Sequence, residues 1–89
     1  MELIYLQDPG HGWLKVDRAI ASDLGISEHI TPYSYVEGPS IWLEEDCDAG
    51  LLIKALKARG IAYTIKEKHV NGDAYVRSLP RYTEGRTHG

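Results

Sequence analysis

Ala49, Leu52, Ile53 and Leu56 recur at the i, i+3, i+4, i+7 spacing, and this constrains the chain more than any other feature. The spacing requires an amphipathic helix with one apolar stripe, and that stripe needs an apolar surface to cover. The rest of the sequence supplies such a surface only as short β-rich runs. Leu3-Ile4-Tyr5-Leu6 is continuous and apolar, as in a strand covered on both faces. Asp8-Pro9-Gly10-His11-Gly12 interrupts it with strong turn chemistry, and Leu14 and Val16 then alternate with Lys15, so a β-hairpin is expected. Tyr33-Ser34-Tyr35-Val36 and Ile41-Trp42-Leu43 flank Glu37-Gly38-Pro39-Ser40 and read as a second hairpin. Ile61, Tyr63 and Ile65 alternate along a further strand, and Asn71-Gly72 predicts a third hairpin that returns as Ala74-Tyr75-Val76.

Asp17 is a candidate N-cap for a shorter helix that carries Ile20 and Leu24 on one stripe and ends at Gly25. Asp46 or Asp48 can cap the longer helix, which ends at Gly60. In both cases the Gly is followed by Ile, the pattern of a Schellman closure. The order β-β-α-β-β-α-β-β predicts an α+β fold, a two-layer sandwich with a mostly antiparallel sheet and two helices on one face. With 89 residues, one α+β domain over residues 1–82 is expected, followed by a flexible C-terminal tail over 83–89. A single Cys excludes an internal disulfide framework and a cysteine-rich zinc module. The apolar runs are too short for a membrane span, so a cytoplasmic location with no membrane partner is expected.

The net charge of −3 hides an uneven distribution. Residues 1–45 hold two basic against eight acidic residues, whereas residues 46–89 hold eight basic against five acidic. This balance argues against nucleic acid as the partner, because phosphate binding usually needs a basic excess. A nucleic-acid module would need Lys54, Lys57, Lys66, Lys68 and Arg77 on one face. The aromatics are six Tyr and two Trp, with no Phe, so each carries a polar group suited to half-buried interface positions. A dipolar, Tyr- and Trp-bearing surface fits docking on another protein.

Two segments could carry chemistry. In Asp8-Pro9-Gly10-His11-Gly12, flanking glycines can expose the His11 imidazole as a general base, with Asp8 placed to orient it. The plainer expectation is that Asp8 caps its own turn. Glu44-Glu45-Asp46-Cys47-Asp48 concentrates four carboxylates before the longer helix. Helix capping accounts for part of this cluster. A protein-docking patch is the leading functional reading, and a metal held by Glu44, Asp46 and Asp48 is the alternative. Cys47 is expected to be half-buried and unreactive, since the acids around it disfavour a thiolate. His29, His69 and His88 show no ligand spacing, so no cofactor and no metal are expected. The expected partner-binding set is Trp13, Tyr33, Tyr35, Glu44, Glu45, Asp46 and Asp48. No catalytic set is complete.

In Asp8-Pro9-Gly10-His11-Gly12-Trp13-Leu14, Tyr33-Ser34-Tyr35 and Leu43-Glu44-Glu45-Asp46-Cys47-Asp48, the chain resembles small accessory proteins encoded by bacteriophages and prophages. The resemblance implies a non-enzymatic protein that binds a host or phage protein in the host cytoplasm. It further implies inhibition of a host defence system, anti-CRISPR or anti-restriction. It carries over no catalytic residue. The alternative expectation is a small metal- or His-dependent hydrolase or nuclease that uses His11 and Asp8, and a homodimer stays open.

Overall fold

The computed structural model describes residues 1–83; the expected tail beyond Thr83 lies outside the described residues. The elements are β1 (Glu2–Gln7), β2 (Gly12–Asp17), α1 (Arg18–Asp23), β3 (Tyr35–Glu37), β4 (Ser40–Glu44), α2 (Ala49–Ala58) and β5 (Thr64–His69), with 3₁₀ turns at Ser27–His29 and Tyr75–Ser78. They build the expected small α+β fold around one five-stranded sheet of order β3-β4-β2-β1-β5. No helix among the described residues is long and apolar enough to cross a membrane.

Both inner hairpins form as the turn chemistry dictates. β1 and β2 pair antiparallel with Tyr5 opposite Leu14, and β3 and β4 pair with Glu37 opposite Ser40 around Gly38, whose φ is 56°. β2 and β4 are joined antiparallel, with Leu14 opposite Leu43 and Val16 opposite Ile41. Because side chains alternate along a strand, these residues share one face. They pack there with Leu3, Ala21 of α1, and Leu52 and Leu56 of α2. The helices end as their Gly-Ile pairs require. Gly25 and Gly60 take φ of 73° and 66°, and Ile26 N and Ile61 N donate to Ala21 O and Leu56 O at 3.0 and 2.9 Å.

β5 joins the sheet in parallel to β1, with Tyr5 opposite Glu67, so the sheet is mixed. Its residues are exposed throughout, which fits an edge strand whose core-facing pattern gives way to Lys66, Glu67 and Lys68.

The third hairpin does not form. After β5 the chain enters a 3₁₀ turn, and Ala74 and Val76 are buried with Leu6, Trp13 and Trp42 on the sheet face opposite the helices. The physical reason is a tertiary competitor to the Asn71-Gly72 turn. Asp8 captures Ala74 N and the Arg77 guanidinium, while Val76 is buried in one cluster with the two tryptophans. The segment then reaches the β3 edge, where Val36 N donates to Pro80 O at 2.8 Å and Tyr35 bridges Arg81. Tyr82 closes the path on the helical face, fully buried in that core.

Candidate functional site

The site is built on Asp8, at the point where β1 ends. Asp8 Oδ1 accepts from Gly10 N and His11 N, each at 2.9 Å, so the carboxylate closes its own turn. Arg77 binds the same carboxylate through two parallel bonds, Nε to Oδ2 at 2.6 Å and Nη2 to Oδ1 at 2.8 Å, the strong bidentate geometry. Ala74 N adds a bond to Oδ2 at 2.9 Å. Arg77, followed by these backbone donors, holds the Asp8 carboxyl far below the usual carboxylate range, and Asp8 raises Arg77 in return. Asp8 therefore does not serve as the orienting partner of His11. Both of its oxygens are occupied, and the His11 ring faces the acidic cluster instead.

The two glycines around His11 act through space rather than through a left-handed backbone, since the positive-φ glycines among the described residues are Gly25, Gly38 and Gly60. A Cβ on Gly10 would stand 2.9 Å from Arg77 Nη2, and one on Gly12 would overlap the Tyr5 hydroxyl and ring. The motif thus admits two side chains that hold the site together.

Glu44 lies at the end of β4 and Glu45 follows it, both beside the His11 loop. Glu44 Oε1 accepts from Asp46 N and Cys47 N at 2.8 Å each. Glu45 Oε2 accepts from the Tyr5 hydroxyl at 2.6 Å. Burial, followed by that bond to Glu45, pushes the Tyr5 phenol up to about 12. The remaining oxygens approach His11 Nδ1, Glu44 Oε2 at 3.5 Å and Glu45 Oε1 at 3.9 Å. His11, Glu44, Glu45 and Asp46 each offer one ligand atom, all within 4.8 Å of one another. The His11 loop and the acidic cluster, separate motifs in the sequence, share one site.

Asp48 leaves this group. It is fully buried, and its carboxylate accepts from Thr31 N, Thr31 Oγ1 and Ser34 Oγ. It stands at the N-cap position of α2 but makes no side-chain cap bond. The expectation that Asp48 contacts a partner or a metal is thus corrected: its oxygens tie the 31–34 segment to the start of α2. Ser34 Oγ in turn accepts from Glu44 N at 2.9 Å, so Asp48 supports Glu44 from behind.

An open cavity of about 380 Å³ lies over these groups, lined by His11, Trp13, Tyr33, Tyr35, Glu44, Asp46, Cys47, Arg77 and Arg81. Trp13 meets Tyr35 edge-on at 6.4 Å between ring centroids. Arg77 lies over the Trp13 ring at 5.2 Å, and Arg81 over the Tyr35 ring at 5.3 Å, both in cation–π range. Tyr33 precedes β3 rather than lying in it and is 61% exposed. Cys47 is exposed, not half-buried. Desolvation first, then the carboxylates of Glu44, Asp48 and Asp46, raise its thiol, which opposes nucleophilic use.

The cavity therefore gathers Tyr33, Tyr35, Glu44 and Asp46 of the expected partner-binding set, with Glu45 alongside, and Trp13 lines it as a buried ring that is only 2% exposed. Arg77 and Arg81 are additions that sequence reasoning missed. No periodicity or motif marks them, because Asp8 and Tyr35, the groups that place them, are remote in the chain. Of the residues a nucleic-acid face would need, Arg77 is committed to Asp8. No family model, curated protein or solved structure matches this chain.

Proposed function

We propose that the chain is a small phage-type accessory protein that acts by binding another protein, with the aromatic cavity as its contact surface and a component of a host defence system as its target. One observation carries this reading. The three segments that resemble phage accessory proteins are dispersed over the chain, yet side chains from all three line a single cavity. Trp, Tyr and Arg are the residues that concentrate in protein-binding hot spots, and here Arg77 and Arg81 lie over the Trp13 and Tyr35 rings.

The test is capture of a target from a bacterium carrying CRISPR or restriction machinery, combined with phage plating. Wild-type protein is expected to retain a stoichiometric partner and to raise plating of a targeted phage by at least about tenfold. Tyr33→Ala removes an exposed ring that the fold does not need and is expected to weaken capture by about tenfold or more. No partner and unchanged plating would overturn the proposal.

A second reading, hydrolysis assisted by His11, draws on the approach of His11 to Glu44 and Glu45. In it Asp8 has a positioning role only, because Arg77 and the loop N–H groups occupy its oxygens. Measurable hydrolysis of a nucleic acid or ester that vanishes in His11→Ala would favour this reading over the first.

A further inference from the structure

We propose that His11, Glu44, Glu45 and Asp46 form a binding site for a divalent transition-metal ion of the Mn²⁺ or Zn²⁺ type. The proposal goes beyond protein binding and does not depend on it. Four ligand atoms lie within 4.8 Å of one another, so shifts of a few tenths of an ångström or more would bring them to the at most about 4.6 Å that two bonds of roughly 2.3 Å to one ion span. The glutamates are already oriented for that task. Glu44 Oε1 is fixed by two backbone N–H groups and Glu45 Oε2 by the Tyr5 hydroxyl, which leaves Glu44 Oε2 and Glu45 Oε1 turned toward His11 Nδ1. Hydrogen-bonded carboxylates of this kind are the usual outer support of a metal site.

The imidazole separates the arrangement from an ordinary acidic surface patch, because His11 Nδ1 faces both Glu44 Oε2 and Glu45 Oε1. Glu44 lines the cavity, and its Oε1 is held by Asp46 N and Cys47 N, which leaves Oε2 as the oxygen on the His11 side. The nearest ring nitrogen, His11 Nδ1, stands at 3.5 Å, long for a hydrogen bond. No Lys or Arg pairs with Glu44, Glu45 or Asp46 among the described residues, since Arg77 is committed to Asp8. A cation between these carboxylates and the imidazole would supply the positive charge that no Lys or Arg provides there among the described residues. One imidazole with three carboxylates suits Mn²⁺ or Zn²⁺ better than Ca²⁺, which prefers an all-oxygen shell.

The experiment is titration calorimetry of the full chain, stripped with chelator, against MnCl₂ and ZnCl₂, with CaCl₂ for comparison and circular dichroism on every variant. The wild type is expected to bind one Mn²⁺ or Zn²⁺ ion with a Kd of about 1–50 μM. His11→Ala and Glu44→Gln, the second keeping the size and the acceptor at Oε1, are each expected to weaken binding by about tenfold or more. Tyr33→Ala, which the protein-binding proposal makes important, is expected to leave metal affinity within about twofold, so the two proposals fail separately. Absence of saturable binding up to about 1 mM metal would overturn the site. So would binding that persists in both folded variants, or Ca²⁺ affinity equal to that of Mn²⁺ and Zn²⁺.

Discussion

At the scale of single residues, Asp8 is the group on which most of the site depends. It closes the His11 turn and docks the C-terminal segment through Ala74 N and Arg77. Its carboxyl is held below its ordinary value mainly by Arg77. The folded protein therefore binds this proton less readily than the unfolded chain does. The stability from Asp8 is complete above the ordinary Asp pKa near about 4 and is lost as pH falls below it. Asp8→Asn is expected to lower Tm at pH 7 by several degrees, because it removes the charge that Arg77 pairs with at the docking point of the C-terminal segment. Thermal melts across acidic pH should show the gap between variant and wild type narrowing below about pH 4. A constant gap would mean that the ionised pair is not the source. The turn around Asp8 was legible in the sequence as a self-capped loop, whereas its pairing with Arg77 was not, since that contact spans 69 positions.

At the scale of elements, local chemistry decided most of what formed. The Ala49–Leu56 stripe became α2, with Leu52 and Leu56 fully buried. Both Gly-Ile pairs became helix closures. Two glycines of this region have opposite roles, which makes them a direct check. Gly50 is exposed within α2, with open space where a Cβ would go, so Gly50→Ala is expected to stabilise by about 0.5–1 kcal/mol. Gly60 also has open space but a φ of 66°, so Gly60→Ala is expected to destabilise by about 1 kcal/mol. Urea denaturation of both variants measures the signs. Equal signs would show that backbone conformation does not control the α2 terminus. The element that local signals misplaced is the Ala74–Val76 strand. Asn71-Gly72 is a strong hairpin signal, but it had to compete with a bidentate ion pair and the burial of Val76.

At the scale of the whole molecule, the C-terminal segment holds the layers together. From the β5 edge it covers the non-helical face with Ala74, Val76 and Leu79. It reaches the opposite edge at β3 and places Tyr82 in the helical core, where the Tyr82 hydroxyl donates to Ser27 O at 2.7 Å. Tyr82→Ala is therefore expected to cost about 3–5 kcal/mol by denaturant unfolding. Tyr82→Phe, which keeps the ring, is expected to cost about 1 kcal/mol. A loss near zero for Tyr82→Ala would show that the segment is not part of the cooperative unit. The sequence by itself determined the α+β class, both inner hairpins, both helices and their Gly-Ile C-terminal ends, because each follows from side-chain periodicity and turn chemistry over a few neighbouring residues. By contrast, Asp17 and Asp48 stand at the N-cap positions without making a side-chain cap bond. Only the tertiary structure decided the parallel placement of β5, the path of residues 70–82 and the membership of the site. Those outcomes rest on contacts between distant parts of the chain: Arg77 with Asp8, Tyr5 with Glu45, and His11 with Glu44. Such pairs leave no period in a sequence, and their energy exists only once the sheet has brought the strand ends together.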